Sequence, residues 1–237
     1  IVLDSESDDD LWQIVQAVSL SNRKLLLAGS GGLAASLANA YGTEMPTGSR
    51  EHGPVAEEPF LVVAGSQREI VPEQVETLRK QAHSNVVRID ADRLLDSVEG
   101  AAERERAVGE SRRSLAEGRS SVLWLTNSGS DLVSNKARLL SVARDRLVAE
   151  LAAITAATAR HANGLVLIGG DTSQAVLRAL GATGVILDYE PFPGVPAGSV
   201  HGGEMDGAPV VTKAGAFGNQ DTLLHIFEYL TTGRGRH

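Results

Sequence analysis

The chain has 237 residues, 42% of them hydrophobic, and carries a formal net charge of -8, which is enough apolar content for one large domain or for one domain with part of another. Its acidic balance argues against a nucleic-acid or anionic-membrane partner, which favours a basic face, and the absence of cysteine excludes disulfides, thiolate nucleophiles and cysteine-ligated metals. Neither an apolar run as long as the roughly 18–20 residues of a membrane span nor a secretory signal is visible, so we expect a soluble, cytoplasmic protein.

Short apolar runs alternate with longer helical patterns along the chain. The runs predict strands at 1–4, 25–28, 60–64, 86–89, 122–126, 165–168, 185–187 and 210–212. Most are continuously apolar, which is typical of strands covered on both faces in a parallel sheet. Helical patterns lie between them, at 10–19, 33–41, 72–82, 91–117, 133–159, 173–180 and 222–230. This alternation predicts an α/β fold: a three-layer αβα sandwich with a mainly parallel sheet, preceded by a partial second α/β domain.

A change in composition divides the chain. Residues 42–59 are rich in Gly, Pro, Thr, Ser and Glu and have no hydrophobic period, which predicts a linker. Residues 1–41 are then the C-terminal remnant of one domain, and residues 60–237 a nearly complete second domain. Because Ile1 already lies inside a predicted strand, we interpret the chain as a fragment, a processed chain or a trimmed piece of a longer one.

Three predicted strands end in glycine and small polar residues. The turns are 29–32 in "LLLAGSGGLAAS", 65–66 in "LVVAGSQ" and 169–172 in "VLIGGDTSQAV". In an open α/β sheet, ligands bind beyond the carboxyl ends of the strands. Glycine lets the backbone approach an anion closely, and the next helix directs its first N–H groups toward the same place. Together with "VTKAGAFGNQD" near the C-terminus, these turns predict a ligand that carries phosphate.

Each turn also has a simpler interpretation. In "GGDTSQ", Asp171 or Thr172 is a candidate N-cap, with Gln174 close to the spacing of a capping box. The two interpretations are compatible, because a capped helix start still offers its other N–H groups. The segment 29–34 matches the G-x-G-x-x-A pattern of a dinucleotide fingerprint, but that fingerprint wants an acidic residue at the end of the next strand, and here a linker precedes the next strand, which ends "VVAGSQ".

Charged residues near the glycines add one candidate. Lys213, in "TKAGAFG", is able to pair with phosphate oxygens as a point charge, although most lysines are simply exposed. The acidic run 8–10 is interpreted as the capped first turn of a helix rather than a metal site. The segment 201–207, "HGGEMDG", lacks any recognised ligand spacing and is interpreted as a loop. No metal site built from protein ligands is predicted.

Taken in order, the motifs resemble those of a known family. They are "IVLDSESDDDL", "LLAGSGGLAASLA", "LVVAGSQ", "GLVLIGGDT", "LGATGVILDYEPFPGVPAG" and "PVVTKAGAFGNQDTL". The chain resembles the four-carbon acid sugar kinases, formerly a domain of unknown function, over nearly its whole length. The most specific parts are the Gly-Gly-Asp-Thr turn, the Pro-Gly-Val-Pro segment and the Lys-x-Gly-x-Phe-Gly segment.

The resemblance implies an ATP-dependent kinase of acids such as threonate, erythronate or 3-oxo-tetronate, built from two α/β domains. The family's N-terminal domain binds the acid sugar and its C-terminal domain binds the nucleotide. Residues 1–41 resemble the closing part of the first, and residues from about Phe60 onward resemble the second. The Asp-Asp-rich motif that opens the family's substrate domain is not found in these residues.

Carried over residue by residue, the resemblance predicts an ATP site at Ser66, Gly169, Gly170, Asp171, Thr172 and Gly215. On physical grounds we add Lys213 and Gly218 as neighbours of the phosphates, and we take Asp171 and Lys213 as the candidate catalytic residues. Because the N-terminus of a helix binds anions, we expect Ser30, Gly31 and Gly32, which open a predicted helix, to face the carboxylate of the sugar acid or the transferred phosphate. The chain departs from the family at two places: Ala216 stands where a glycine is frequent, and "QREIVP" follows Ser66 where Ser-Pro and a threonine are frequent.

The predicted function is therefore transfer of the γ-phosphoryl group of ATP to a hydroxyl of a small sugar acid, with Mg2+ bridging phosphate oxygens. This chain is expected to supply the ATP-binding part, and no general base is assigned. Two alternatives remain: a non-catalytic α/β module that binds a phosphorylated metabolite, and a dinucleotide-dependent oxidoreductase. A homodimer or a complementary N-terminal domain is expected as partner, because a truncated α/β sheet leaves apolar surface exposed.

Overall fold

The computed structural model of the chain describes residues 1–42, 56–65, 69–82, 84–126 and 137–233. It forms two compact units, Ile1–Arg50 and Glu51–His237. Among the described residues, no helix is both long enough and apolar enough to cross a membrane.

The described part of the first unit consists of two helices that pack on each other, α1 (Asp8–Leu20) and α2 (Gly31–Ala40). A capping box starts α1: the Ser7 hydroxyl accepts a hydrogen bond from the Asp10 N–H at 3.3 Å, and the Asp10 carboxylate accepts one from the Ser7 N–H at 2.9 Å. The acidic run 8–10 forms the first turn, where negative charge interacts favourably with the positive end of the helix dipole. The prediction of a capped first turn is confirmed.

The strands predicted at 1–4 and 25–28 are wrong, because neither segment is a strand in the structure. The side chains of Ile1, Val2 and Leu26 are almost fully exposed. A strand persists only where its backbone N–H and C=O groups find a neighbouring chain. These two apolar runs find none in the described part of the first unit, so local β propensity is not enough.

The second unit is built on a seven-stranded sheet within its described residues. The strands are β1 (Phe60–Ala64), β2 (Asn85–Asp90), β3 (Ser121–Thr126), β4 (Gly164–Ile168), β5 (Gly184–Phe192), β6 (Val195–His201) and β7 (Pro209–Lys213). The helices are α3 (Ile70–Gln81), α4 (Ala91–Leu95), α5 (Gly100–Ala116), α6 (Ala137–Ala159), α7 (Gly170–Ala179) and α8 (Thr222–Thr232). The spatial order is β2-β3-β1-β4-β7-β6-β5; the first five strands are parallel, and β6 is antiparallel to both of its neighbours.

Helices cover both faces of this sheet, which confirms the three-layer α/β sandwich. Along β1 the side chains alternate: Leu61 and Val63 join the core beneath α4, α5, α6 and α7, whereas Phe60 and Val62 join the core beneath α3 and α8. All of these side chains are fully buried, and each such side chain contributes roughly 1.5–3 kcal/mol on burial. The continuously apolar pattern of β1 thus follows from its central, doubly covered position.

The connections that leave the neighbouring strands β1 and β4 run toward opposite edges of the sheet. From β1 the chain runs through α3, on one face, toward the β2 edge of the sheet, whereas from β4 it runs through α7, on the other face, toward the β5 edge. Right-handed crossovers that leave adjacent strands in opposite directions open a crevice beyond their carboxyl ends. The fold therefore places its natural ligand crevice at the ends of β1 and β4.

Candidate functional site

Three glycine-containing turns meet at the carboxyl edge of the sheet. Ala64 at the end of β1 pairs with Ile168 at the end of β4, and Ile168 pairs with Lys213 at the end of β7. The turns that follow these strands are therefore neighbours. The Gly169 N–H also donates to the Lys213 carbonyl at 2.8 Å, which joins the second turn to the third. This register brings residues 169–172 next to the "TKAGAFG" segment.

The β4 turn leads directly into α7. Gly169 has φ 100°, in the left-handed region that favours glycine, and is itself the N-cap of the helix. Its carbonyl accepts hydrogen bonds from the N–H of Ser173 at 2.9 Å and from the Ser173 hydroxyl at 2.8 Å. The prediction that Asp171 or Thr172 caps the helix is thus wrong, because the helix starts earlier and both residues lie in its first turn.

This early start leaves donors at the mouth of the crevice. The N–H groups of Gly170, Asp171 and Thr172 belong to the first turn of α7 and have no acceptor inside the helix. A Cβ added at Gly170 would meet no described atom within 4 Å, so this backbone faces open space. Such an arrangement suits an anion, since the N–H groups and the positive end of the helix dipole point the same way.

The end of β1 contacts the same turn. A Cβ on Gly65 would lie only 2.3 Å from the Thr172 hydroxyl oxygen and 3.1 Å from Cδ2 of Leu151. Thr172 is 4% exposed, so its side chain fills the space between β1 and α7. Gly65 is therefore required by packing. The predicted residue Ser66 lies outside the described residues.

Asp171 forms an ion pair that the sequence does not reveal. Its carboxylate accepts a hydrogen bond from the Arg144 guanidinium of α6, and the two side chains are 68% and 70% exposed. Arg144 brings a positive charge to the side of the crevice that α7 forms. The 27 positions between these residues follow no helical or strand period, so no local pattern could have identified Arg144.

The Lys213 side chain lies under the β7 turn. Its ammonium donates to the carbonyls of Phe217 at 2.7 Å, Ala214 at 2.9 Å and Gly215 at 3.4 Å. Lys213 is only 2% exposed, and this burial lowers its pKa to about 8. The structure thus brings Lys213 to the predicted glycine turn, with its charge directed into the loop 214–217.

A second buried side chain supports this loop. Gln74 of α3 donates through Nε2 to the carbonyls of Asn219 at 2.8 Å and Phe217 at 3.2 Å. The last glycine of the turn, Gly218, has φ 86°, and a Cβ there would lie 2.2 Å from the Thr222 hydroxyl oxygen. Sequence reasoning missed Gln74, because its contact partners are more than 140 positions away.

The predicted substrate residues belong to the first unit and are described within it. Ser30 is the N-cap residue of α2 and makes no side-chain cap hydrogen bond, while Gly31 and Gly32 begin the helix. A Cβ at Gly32 would lie 2.9 Å from Cδ1 of Leu11, whereas one at Gly31 would meet nothing within 4 Å. Gly32 is therefore needed for the packing of α2 on α1, and Gly31 leaves the start of α2 open.

Few ionisable side chains lie at the crevice among the residues that the structure describes. Among the described residues, no group of three His, Cys, Asp or Glu side chains is placed to hold a metal ion. Asp171 is the carboxylate of the Gly-Gly-Asp-Thr turn. Within the described ranges, the exposed Arg144 and the buried Lys213 bring positive charge near it.

Comparison with known proteins gives matches over most of the chain. The family described as nucleotide-binding C-terminal domain matches residues 61–223. The D-threonate kinases of Salmonella typhimurium and Bordetella bronchiseptica are 35% and 34% identical to the chain, cover 97% and 99% of it, and are themselves covered over 54% and 53% of their length. A D-erythronate kinase of Heliobacterium modesticaldum is 26% identical and covers 98% of the chain, which covers 54% of that protein. The chain thus spans about half the length of these relatives.

Solved structures resemble the chain to a similar extent. A domain of unknown function from Bordetella bronchiseptica, solved with bound citrate as a domain-swapped dimer, has a TM-score of 0.59 and 30% identity, covering 97% of this chain and 52% of its own. A protein of Salmonella typhimurium LT2 described as a putative tRNA synthase has a TM-score of 0.65 at 23% identity, covering 94% of this chain and 51% of its own. The second likeness shows the fold alone.

Proposed function

We propose that the chain binds ATP for the phosphorylation of a small sugar acid. The chain belongs to the four-carbon acid sugar kinase family and carries its nucleotide-binding C-terminal part. In this proposal residues 60–237 are the nucleotide-binding domain, residues 42–59 the linker, and residues 1–41 the end of a substrate-binding domain. The sugar-acid kinase relatives support the reaction class. The acceptor is a hydroxyl of a four-carbon acid.

The observation that carries the proposal is the open start of α7 in the β1/β4 crevice. Gly169 turns the backbone with a positive φ, and the first-turn N–H groups then face open space beside Gly170. A polyphosphate offers many acceptor oxygens and negative charge, which is the ligand that such a helix start favours. A sugar acid alone has a single carboxylate and leaves most of these donors unused.

We assign the phosphates to both sides of the crevice. Gly169, Gly170 and Thr172 contribute from the α7 side, and Gly215 and Gly218 contribute from the β7 turn. Ser66 is assigned to the same site from the sequence resemblance. Phosphoryl transfer depends chiefly on positioning and on neutralising charge, and both are supplied here by oriented backbone donors.

Asp171 is the proposed link to Mg2+. Kinase sites commonly hold this ion with one or two carboxylates together with phosphate oxygens and water, so a single exposed carboxylate beside the phosphates fits it. The bound ion would neutralise charge on the transferred group. Arg144, which now pairs with Asp171, is placed to interact with a phosphate when the metal occupies the carboxylate. The direct catalytic contact predicted for Lys213 stays a prediction, since its ammonium is bound to three carbonyls.

The acid substrate is proposed to bind where Ser30, Gly31 and Gly32 begin α2. The partner is then either a second copy of the chain or a complementary N-terminal domain, and we expect the protein to work in the cytoplasm. The exposed apolar side chains Ile1, Val2 and Leu26 of the first unit support an additional covering partner.

Isothermal titration calorimetry with ATP and Mg2+ tests the proposal. We expect the wild-type chain to bind, and Asp171→Ala to bind more weakly and with less dependence on Mg2+. Asp145→Ala is the matched control, because Asp145 is also an exposed carboxylate, one residue from Arg144. A wild-type chain that fails to bind ATP would contradict the proposal. Preference for a sugar phosphate would favour the non-catalytic module, and quenching of NADH fluorescence would favour the oxidoreductase.

A further inference from the structure

The ammonium of Lys213 is buried without a carboxylate partner. No Asp or Glu oxygen among the described residues lies within ion-pairing distance of it, and the loop 214–217 that surrounds it has no ionisable side chain. A buried charge is costly unless hydrogen bonds compensate it. Three backbone carbonyls accept hydrogen bonds from the ammonium here, so the charge fixes the direction in which each carbonyl points. The ammonium therefore shapes the backbone of this loop as well as filling space.

The planarity of the peptide bond extends this effect to the neighbouring N–H groups. In a trans peptide the C=O and the following N–H point in opposite directions. Because the carbonyls of Ala214, Gly215 and Phe217 turn inward to Lys213, the N–H groups of Gly215, Ala216 and Gly218 turn outward. No described residue accepts a hydrogen bond from these three N–H groups. They form a set of unused donors in the loop that follows β7, beside the turn that starts α7, and successive backbone N–H groups of this kind are a known type of anion site.

We propose that Lys213 is a positioning residue, whose ammonium gathers the carbonyls of the loop 214–217 and thereby directs its N–H groups at the phosphates of the nucleotide. The inference rests on the proposed function and changes the role given to Lys213 there. The lysine acts through the backbone, so it needs no contact with phosphate. Gln74 supports the same loop from α3, because it shares the Phe217 carbonyl with Lys213 and also binds the Asn219 carbonyl.

The test compares three lysine variants of the chain. Lys213→Met removes all three donors at nearly constant volume, and Lys213→Arg keeps a charge with several donors. Lys80→Met is the matched control, because Lys80 is an exposed lysine of α3. Calorimetry with ATP and with AMP, both with Mg2+, and thermal melting are measured for each.

We expect Lys213→Met to bind ATP at least tenfold more weakly, about 1.4 kcal/mol, with a smaller loss for AMP, which has fewer phosphates. Lys213→Arg should recover part of the affinity, and Lys80→Met should bind as the wild type does. A purely structural lysine would lower the melting temperature but weaken ATP and AMP equally.

Several outcomes would overturn the inference. If the wild type binds ATP and a folded Lys213→Met binds it equally well, Lys213 does not position the donors, although the proposed function stands. If the wild type does not bind ATP, the proposed function itself fails. If Lys213→Met does not fold, Gln74→Leu replaces it: a severalfold loss of ATP affinity supports a positioned loop, and unchanged affinity contradicts it.

Discussion

Gly65→Ala tests the contact that joins β1 to α7 at the crevice. The added Cβ would lie 2.3 Å from the Thr172 hydroxyl oxygen, which is about 1 Å closer than an ordinary contact. Rotating the Thr172 side chain gives no relief, because its Cγ2 already lies 3.2 Å from the same position and Cδ2 of Leu151 lies 3.1 Å away. Since Thr172 is buried, the end of β1 or the start of α7 must shift.

Overpacking of this kind costs roughly 1–3 kcal/mol. For a unit of this size each kcal/mol lowers the melting temperature by about 2–4 °C, so we expect Gly65→Ala to melt roughly 2–12 °C below the wild type. The assay is thermal unfolding followed by circular dichroism. ATP binding should weaken as well, because the displaced segment carries the first-turn donors of α7.

Gly170→Ala is the matched comparison. Its Cβ meets nothing within 4 Å, and Gly170 lies at the start of a helix, where alanine is favoured over glycine. We therefore expect unchanged or slightly higher stability together with weaker ATP binding, since the methyl group enters only the space proposed for phosphate. A Gly65→Ala protein with wild-type melting would refute the packing argument, and a Gly170→Ala protein with wild-type ATP affinity would refute the phosphate site at α7.

Three further predictions concern stability. Gly198→Ala places a Cβ 1.9 Å from the backbone oxygen of Ile186 in the neighbouring strand. We therefore expect it to lose more unfolding free energy than Gly65→Ala does. A smaller loss, measured by urea denaturation, would contradict this expectation. Arg144→Ala breaks an exposed ion pair and should change stability by less than about 1 kcal/mol; a larger change in the same assay would show a structural role. Burial lowers the pKa of Lys213 from 10.5 to about 8. Between these pH values the unfolded chain holds the lysine proton and the folded chain loses it. The unfolding free energy of the wild type relative to Lys213→Met should therefore rise from pH 8 to 10.5, by about 3 kcal/mol in total. Urea unfolding at several pH values measures this rise, and a constant difference between the two proteins would rule it out.

The central strands could be predicted from the sequence because burial on both faces leaves a local mark. The runs that became β1 and β4 are apolar at every position, and the glycine turns follow directly after them. The same rule failed at 1–4 and 25–28, where the apolar residues have no neighbouring strand in the described part of the first unit. It also missed β6, in which Pro196 and Gly198 interrupt the apolar pattern although strands pair with it on both sides. Propensity is local, whereas pairing is not.

The residues of the candidate site could be predicted only in part, for a related reason. A Gly-Gly-Asp-Thr turn is visible in the sequence, but the residue that caps the helix is decided by the backbone of Gly169, which is held by the Lys213 carbonyl from another strand. Side-chain preferences favoured Asp171 or Thr172 as the cap. Arg144 and Gln74 reach the site only through tertiary contacts, and no spacing along the chain encodes them.

The acidic net charge of -8 bears on how the proposed anionic ligand would be held. A surface rich in carboxylates repels a polyphosphate at long range, so attraction must come from groups close to it. In the proposed site, the α7 side would meet this need with the first-turn N–H groups of a helix, and the β7 side with the N–H groups of the loop that Lys213 gathers. Fixed backbone dipoles act at short distance and need no reorganisation when the ligand arrives. The two sides thus reach the same donor chemistry by different means, one from helix geometry and the other from a buried charge.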